Sequence, residues 1–141
     1  MSMQSIFIVV ISGFFLVAGS SFASTISPEG AQTYIISPID GEVATSPVIV
    51  RFGLKGMGVA PAGIDKPNTG HHHLLIDVAN SPALDKPLPA DANHQHLGGG
   101  QTEITLELSP GKHTLQLIMG DKNHIQHNPS VMSKITTIIV K

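Results

Sequence analysis

Seven of the eight histidines in this 141-residue chain fall in three short segments. These are His71-His72-His73, His94-Gln95-His96 and His124-Ile125-Gln126-His127. Neutral imidazole is the commonest protein ligand for transition metals, and the chain has no cysteine to compete for that role. Alternate residues of an extended segment share a face, so His71 pairs with His73 and His94 with His96. Two imidazoles from one strand end suit a metal site. His124 and His127 are three apart, and a single turn would present both on one side. The candidate ligands are therefore His71, His73, His94, His96, His124 and His127. Four complete a tetrahedral ion, so six imply two ions or some bystanders. His72 shares the parity of Leu74 and Ile76; it is expected inside, bonded to backbone, and is a lesser candidate.

Neighbouring residues fit the same chemistry. Asp91 and Asn93 precede His94 and could orient the ring N–H groups. Asp121 precedes His124, either as another such acceptor or as an ordinary turn residue. Gly98-Gly99-Gly100 follows His96 and allows close backbone approach. Met57 and Met132 fall in loops, and Met119 ends a strand. Thioether plus imidazole suits Cu(I) where thiolates are absent, so copper is the expected ion and zinc the alternative. Protons compete for the ring nitrogens, so binding is expected to weaken as pH falls through about 6.5.

Other chemistries find less support. Metallo-lactamase hydrolases need His-x-His-x-Asp-His, but His96 is followed by Leu97-Gly98. Cupin oxygenases need a Glu three or four residues after His-x-His, whereas Glu103 comes later and lies on an exposed strand face. A mononuclear oxidase or oxygenase is thus the weakest of three readings. A hydrogen-bonded histidine cluster in an envelope interaction domain, without metal, is the second. No Gly-x-Ser-x-Gly elbow or Walker loop is present, and no catalytic residue is assigned. With 8 Lys+Arg against 10 Asp+Glu there is no basic surface for nucleic acid.

The segments that must position these histidines have a period of two. Val48, Val50, Phe52 and Leu54 alternate with Ile49, Arg51 and Gly53; Ile104, Leu106 and Leu108 alternate with Glu103, Thr105 and Glu107. Strands are expected at 34–36, 48–55, 71–78, 102–108, 112–119 and 134–140. Residues 79–93, rich in proline, read as a degenerate strand crossing the sheet. About seven short strands with Pro/Gly turns imply an all-β, antiparallel, immunoglobulin-like Greek-key sandwich. Antiparallel alternation then brings all seven clustered histidines to one end, provided 79–93 crosses the full sheet. His113 falls at the other end and is excluded from the site.

Ile6 to Ala23 is an apolar run closing on Gly19-Ser20-Ser21-Phe22-Ala23, with small residues where a signal peptidase reads. Residues 1–23 are read as a signal peptide cleaved after Ala23, although Met1 to Ser5 lacks Lys and Arg. An uncleaved membrane anchor is the alternative. Residues 24–32 form a lead-in and 33–141 a single domain. The expected location is the periplasm, with no membrane attachment after cleavage. The expected partners are the ion and another periplasmic metalloprotein.

Several stretches are distinctive together: Gly56-Met57-Gly58-Val59-Ala60-Pro61-Ala62-Gly63, Thr69-Gly70-His71-His72-His73-Leu74-Leu75-Ile76-Asp77, Leu88-Pro89-Ala90-Asp91, His94-Gln95-His96-Leu97-Gly98-Gly99-Gly100-Gln101-Thr102-Glu103 and His113-Thr114-Leu115-Gln116-Leu117. Over about residues 55 to 140 the chain resembles an exported bacterial family known as domain of unknown function 4399. The resemblance implies that the histidine-bearing segments are that family's signature. It implies no activity.

Overall fold

β-Branched and aliphatic residues at alternate positions make the long strands, and Pro/Gly turns end them. The computed structural model describes residues 23–141. The signal-peptide reading falls on residues 1–23, of which 1–22 lie outside those described. Among the described residues no helix is long and apolar enough to cross a membrane.

Among the described residues nine strands form: β1 (Gln32–Ser37), β2 (Val43–Ala44), β3 (Val48–Lys55), β4 (Gly58–Val59), β5 (Thr69–Ile76), β6 (His94–His96), β7 (Glu103–Leu106), β8 (Gly111–Gly120) and β9 (Thr136–Val140). One sheet has the order β1-β3-β7. The other runs β2-β9-β8-β5-β4, with β6 also paired to β5. The long strands pair antiparallel, and only the two-residue strands β2 and β4 add parallel contacts. First, second and fifth long elements on one sheet, with third, sixth and seventh on the other, is the strand partition of an immunoglobulin-like sandwich.

The sheets enclose Val48, Val50, Phe52, Leu74, Ile76, Leu97, Leu106, Leu115, Leu117, Ile138 and Val140. Val48, Val50, Phe52, Leu74, Ile76 and Leu106 among them are alternating positions read as inward-facing. Tyr34 lies across Gly53 on the neighbouring strand, where a Cβ would stand 2.1 Å from the ring.

Residues 79–93 form no strand of their own. The segment climbs to the loop after β8, where Pro87 bridges Ile125 and the Leu88 amide donates to the His124 carbonyl at 2.7 Å. It then returns to the lower end of β5, where Ile76 N donates to Asn93 O at 2.8 Å. Three prolines in it remove ladder donors, so it packs rather than pairs. Together with residues after β8 it covers the outer face of the larger sheet. A second apolar cluster results there, with Leu75, Leu88 and Ile118 buried and Val78 and Met132 against them. Strand β5 is therefore buried on both faces, unlike a strand with one wet side.

Candidate metal centre

His71 and His73 project from the outer face of β5, each 1% exposed. The register sets His73 beside His96 of β6, and His71 beside Gly120 of β8. Directly paired residues share a face, so the three imidazoles meet. His71 Nε2 lies 3.0 Å from His73 Nε2 and 3.2 Å from His96 Nε2. One ligand atom from each of the three falls within 4.8 Å of the others. An ion bound at 2.0–2.1 Å by tetrahedral nitrogens separates them by roughly 3.3 Å. The two short contacts thus match the edges of one coordination tetrahedron.

His124 stands beside this triad. Its ring centroid stands 4.7 Å from that of His96, 5.1 Å from His71 and 6.1 Å from His73. Its backbone is left-handed, with φ of 66°, an uncommon state that holds only when its surroundings determine it. Those surroundings are well supplied. Asp121, 2% exposed, accepts through Oδ1 from Asn123 N at 2.8 Å and Ile125 N at 3.0 Å. The Leu88 amide holds the His124 carbonyl from outside. The β4–β5 loop straps both outer ligand segments: Ala62 N donates to Gly98 O at 2.8 Å and Gly63 N to Lys122 O at 3.1 Å. Lys122 and Asp65 add an exposed ion pair.

Two glycines make room for the rings. A Cβ on Gly98 would lie 2.2 Å from His96 Cε1, and one on Gly120 would lie 2.9 Å from His73 Nε2. Gly98 does not have a positive φ, so alanine suits its backbone and only the His96 ring must move. Gly98→Ala is expected to weaken metal binding by about 10- to 100-fold, with little change in melting temperature. Chelator-competition titration beside a thermal melt checks this; an unchanged affinity would separate His96 from the site.

Burial fixes the protonation of the inner rings. His71 is lowered to about 4, first by desolvation and then by the neighbouring His96 and His124. His73 falls to about 3, by desolvation and then by His71, His96 and His124. His96 is lowered too, by desolvation and by His124. At neutral pH the inner pair is neutral, the form that binds metal. The pH at which protons displace an ion from it therefore lies below the value of about 6.5 expected for free histidine. The Nδ1 atoms of His71 and His73 are buried without hydrogen-bond partners.

The remaining sequence candidates lie elsewhere. His94 shares the face of His96 but sits opposite Leu75, about 7 Å further along the ladder. Its Nδ1 meets Asp91 Oδ1 at 2.8 Å, so Asp91 orients His94. Asn93 donates to Ile76 O and ties the chain to the end of β5. His127, 2% exposed, faces Met119 O at 3.4 Å and Thr69 O at 3.3 Å. Its ring and the Met57 methyl both lie against Gly70, which has the inward parity of His72. Met132 packs into the outer apolar cluster. Asp121 shapes the turn and accepts from no ring.

His72 faces the core as its parity requires, fully buried and 5.1 Å from the Phe52 ring. The expected backbone bond is not made: neither ring nitrogen has a partner in hydrogen-bonding geometry. Desolvation lowers it to about 4, with the nearby Gln101 backbone opposing. His113, at the other end, bonds Asp77 Oδ2 at 2.7 Å and Ser109 O at 2.8 Å.

Sequence reasoning missed Gly120, the Leu88 amide and the strap at Ala62-Gly63. Gly120 left a signal as a bare position after Leu117-Ile118-Met119, and Leu88 and Ala62-Gly63 fall in the distinctive stretches without their contacts being legible.

A family described as "Domain of unknown function (DUF4399)" matches residues 50–141. No curated protein matches the chain. Among solved structures, the chain is similar to a fibronectin(III)-like module of CbhA from Clostridium thermocellum, at 13% identity and a TM-score of 0.34, covering 77% of this chain and 93% of that one.

Proposed function

The chain belongs to the DUF4399 family, and from that premise we propose that it is a periplasmic copper-binding protein, a chaperone or store. The observation that carries this reading is the convergence of His71, His73 and His96 at tetrahedral-edge spacing, with His124 beside them. The Nε2 atoms of His71, His73 and His96 face one another, and a metal ion is a partner that all three can share.

Four imidazoles supply no charge, and the one buried carboxylate close enough to act on His71 is Asp121. A monovalent ion is then balanced, whereas a divalent ion leaves net charge in a half-buried site. This favours Cu(I) over zinc. Among the described residues no methionine joins the cluster, so thioether ligation does not support copper here. His94 and His127 are bystanders in this reading, which leaves one ion.

The test is metal analysis of untagged protein from the periplasm, followed by Cu(I) and Zn(II) titration. One copper per chain, held more tightly than zinc, is expected. Sub-stoichiometric metal with micromolar or weaker binding of both ions would leave an interaction domain as the better reading.

A further inference from the structure

Outside the histidine group, the N-terminal lead-in packs against the loop that carries His124. Residues 24–28 do not hang free. Ile26 pairs in parallel with Asn128, Asn128 N donates to Thr25 O at 2.9 Å, and Ser27 N donates to Asn128 O at 3.1 Å. Ser24 Oγ reaches Leu84 O, and Ser27 Oγ reaches Pro129 O at 2.8 Å. The lead-in is thus stitched to the loop that follows His124.

One contact goes further. Thr25 Oγ1 donates to Asp121 Oδ2 at 2.7 Å, across 96 residues of sequence. The other oxygen of that buried carboxylate holds the amides of Asn123 and Ile125, which flank His124. Without the hydroxyl, Oδ2 would be a buried charged oxygen lacking its donor, and the carboxylate would turn to find another. Turning it releases the two amides that hold His124 in its left-handed conformation.

We propose that Thr25, through Asp121, is a positioning residue for His124, so that docking of the lead-in completes the fourth side of the metal site. The proposal rests on the metal-binding reading above. It assigns the lead-in a role that its polar, unpatterned sequence does not suggest.

The experiment uses the whole chain loaded with Co(II), whose visible absorption reports four-coordinate nitrogen ligation. His124→Ala defines the spectrum of the site without its fourth ring. Thr25→Val should move the spectrum towards that of His124→Ala and speed metal transfer to a chelator about tenfold. Thr25→Ser, which keeps the hydroxyl, should restore both. Ser27→Ala loses only the neighbouring contact to Pro129 and should leave both unchanged. In metal-free protein, Thr25→Val should speed hydrogen exchange at the Asn123 and Ile125 amides about tenfold. If the parent binds metal and Thr25→Val matches it in spectrum, transfer rate and exchange, the positioning role is overturned and the metal site stands. If the parent takes up neither cobalt nor copper, the metal reading falls and this one with it.

Discussion

His73→Leu is expected to lower copper affinity about a thousandfold or more and, at the same time, to make the metal-free protein more stable. The first effect follows from geometry. His73 Nε2 stands 3.0 Å from His71 Nε2, so its loss removes one of the three converging ligands His71, His73 and His96. The second follows from burial. His73 is 1% exposed, and its Nδ1 has no partner. Leucine has a similar volume and no polar atom to desolvate, so the exchange should gain about 1–3 kcal/mol. His72→Leu provides the contrast. It removes two unpartnered nitrogens from the main core and should stabilise by a similar amount, but with copper binding intact. Denaturant melts of metal-free protein, beside Cu(I) titrations, read both variants. A destabilised His73→Leu that still bound copper would mean the rings hold the fold together rather than an ion.

Metal-free protein is expected to unfold cooperatively as the pH drops from about 6.5 towards 4. His71, His72 and His73 sit near 4, 4 and 3 in the folded chain but near 6.5 when unfolded. Between those values the unfolded chain binds protons that the folded chain refuses, so stability falls as pH falls. Each ring forfeits on the order of 3 kcal/mol across that window. A domain of this size has about 5–15 kcal/mol in total, so three such losses are comparable with the whole reserve. His113 acts with the opposite sign. Its bond to Asp77, then that to Ser109, raises it above 6.5, so its contribution is present in acid and lost as pH rises through its folded value. Maximum stability should fall near neutrality, with a steep acid side and a shallow alkaline one. His113→Gln should remove the alkaline side alone. Copper at a thousand times its dissociation constant adds about 4 kcal/mol at neutral pH and should carry the acid midpoint downward. Circular dichroism against pH, with and without Cu(I), measures all of this; a midpoint that ignores copper would count against the site.

The positions of the longer strands and much of the core were legible because period two is unmistakable where one face is wet, as in Val48-Ile49-Val50-Arg51-Phe52. Parity alone sent His72 inward and paired His71 with His73. The companion segments were harder. Whether 79–93 pairs or packs is decided by distant residues, the Leu88 amide on His124 and Gln126 on Pro82, which leave no local pattern. His94 and His96 have the same parity, and only the register against β5 puts one beside His73 and the other beside Leu75. The Thr25 hydroxyl was illegible for the same reason: a contact across 96 residues has no period.

The four rings divide into two kinds of support. His71 and His73 are fixed on a strand hydrogen-bonded along both edges, while His96 is exposed at the margin and His124 sits on a loop. An ion held there would be gripped from one side only. An incoming donor from another protein could displace His96 and then His124 in turn, with the strand pair keeping hold until the last exchange. Cargo would then pass hand to hand without ever being free in solution, and the speed of delivery would depend on the receiver's concentration rather than on spontaneous escape.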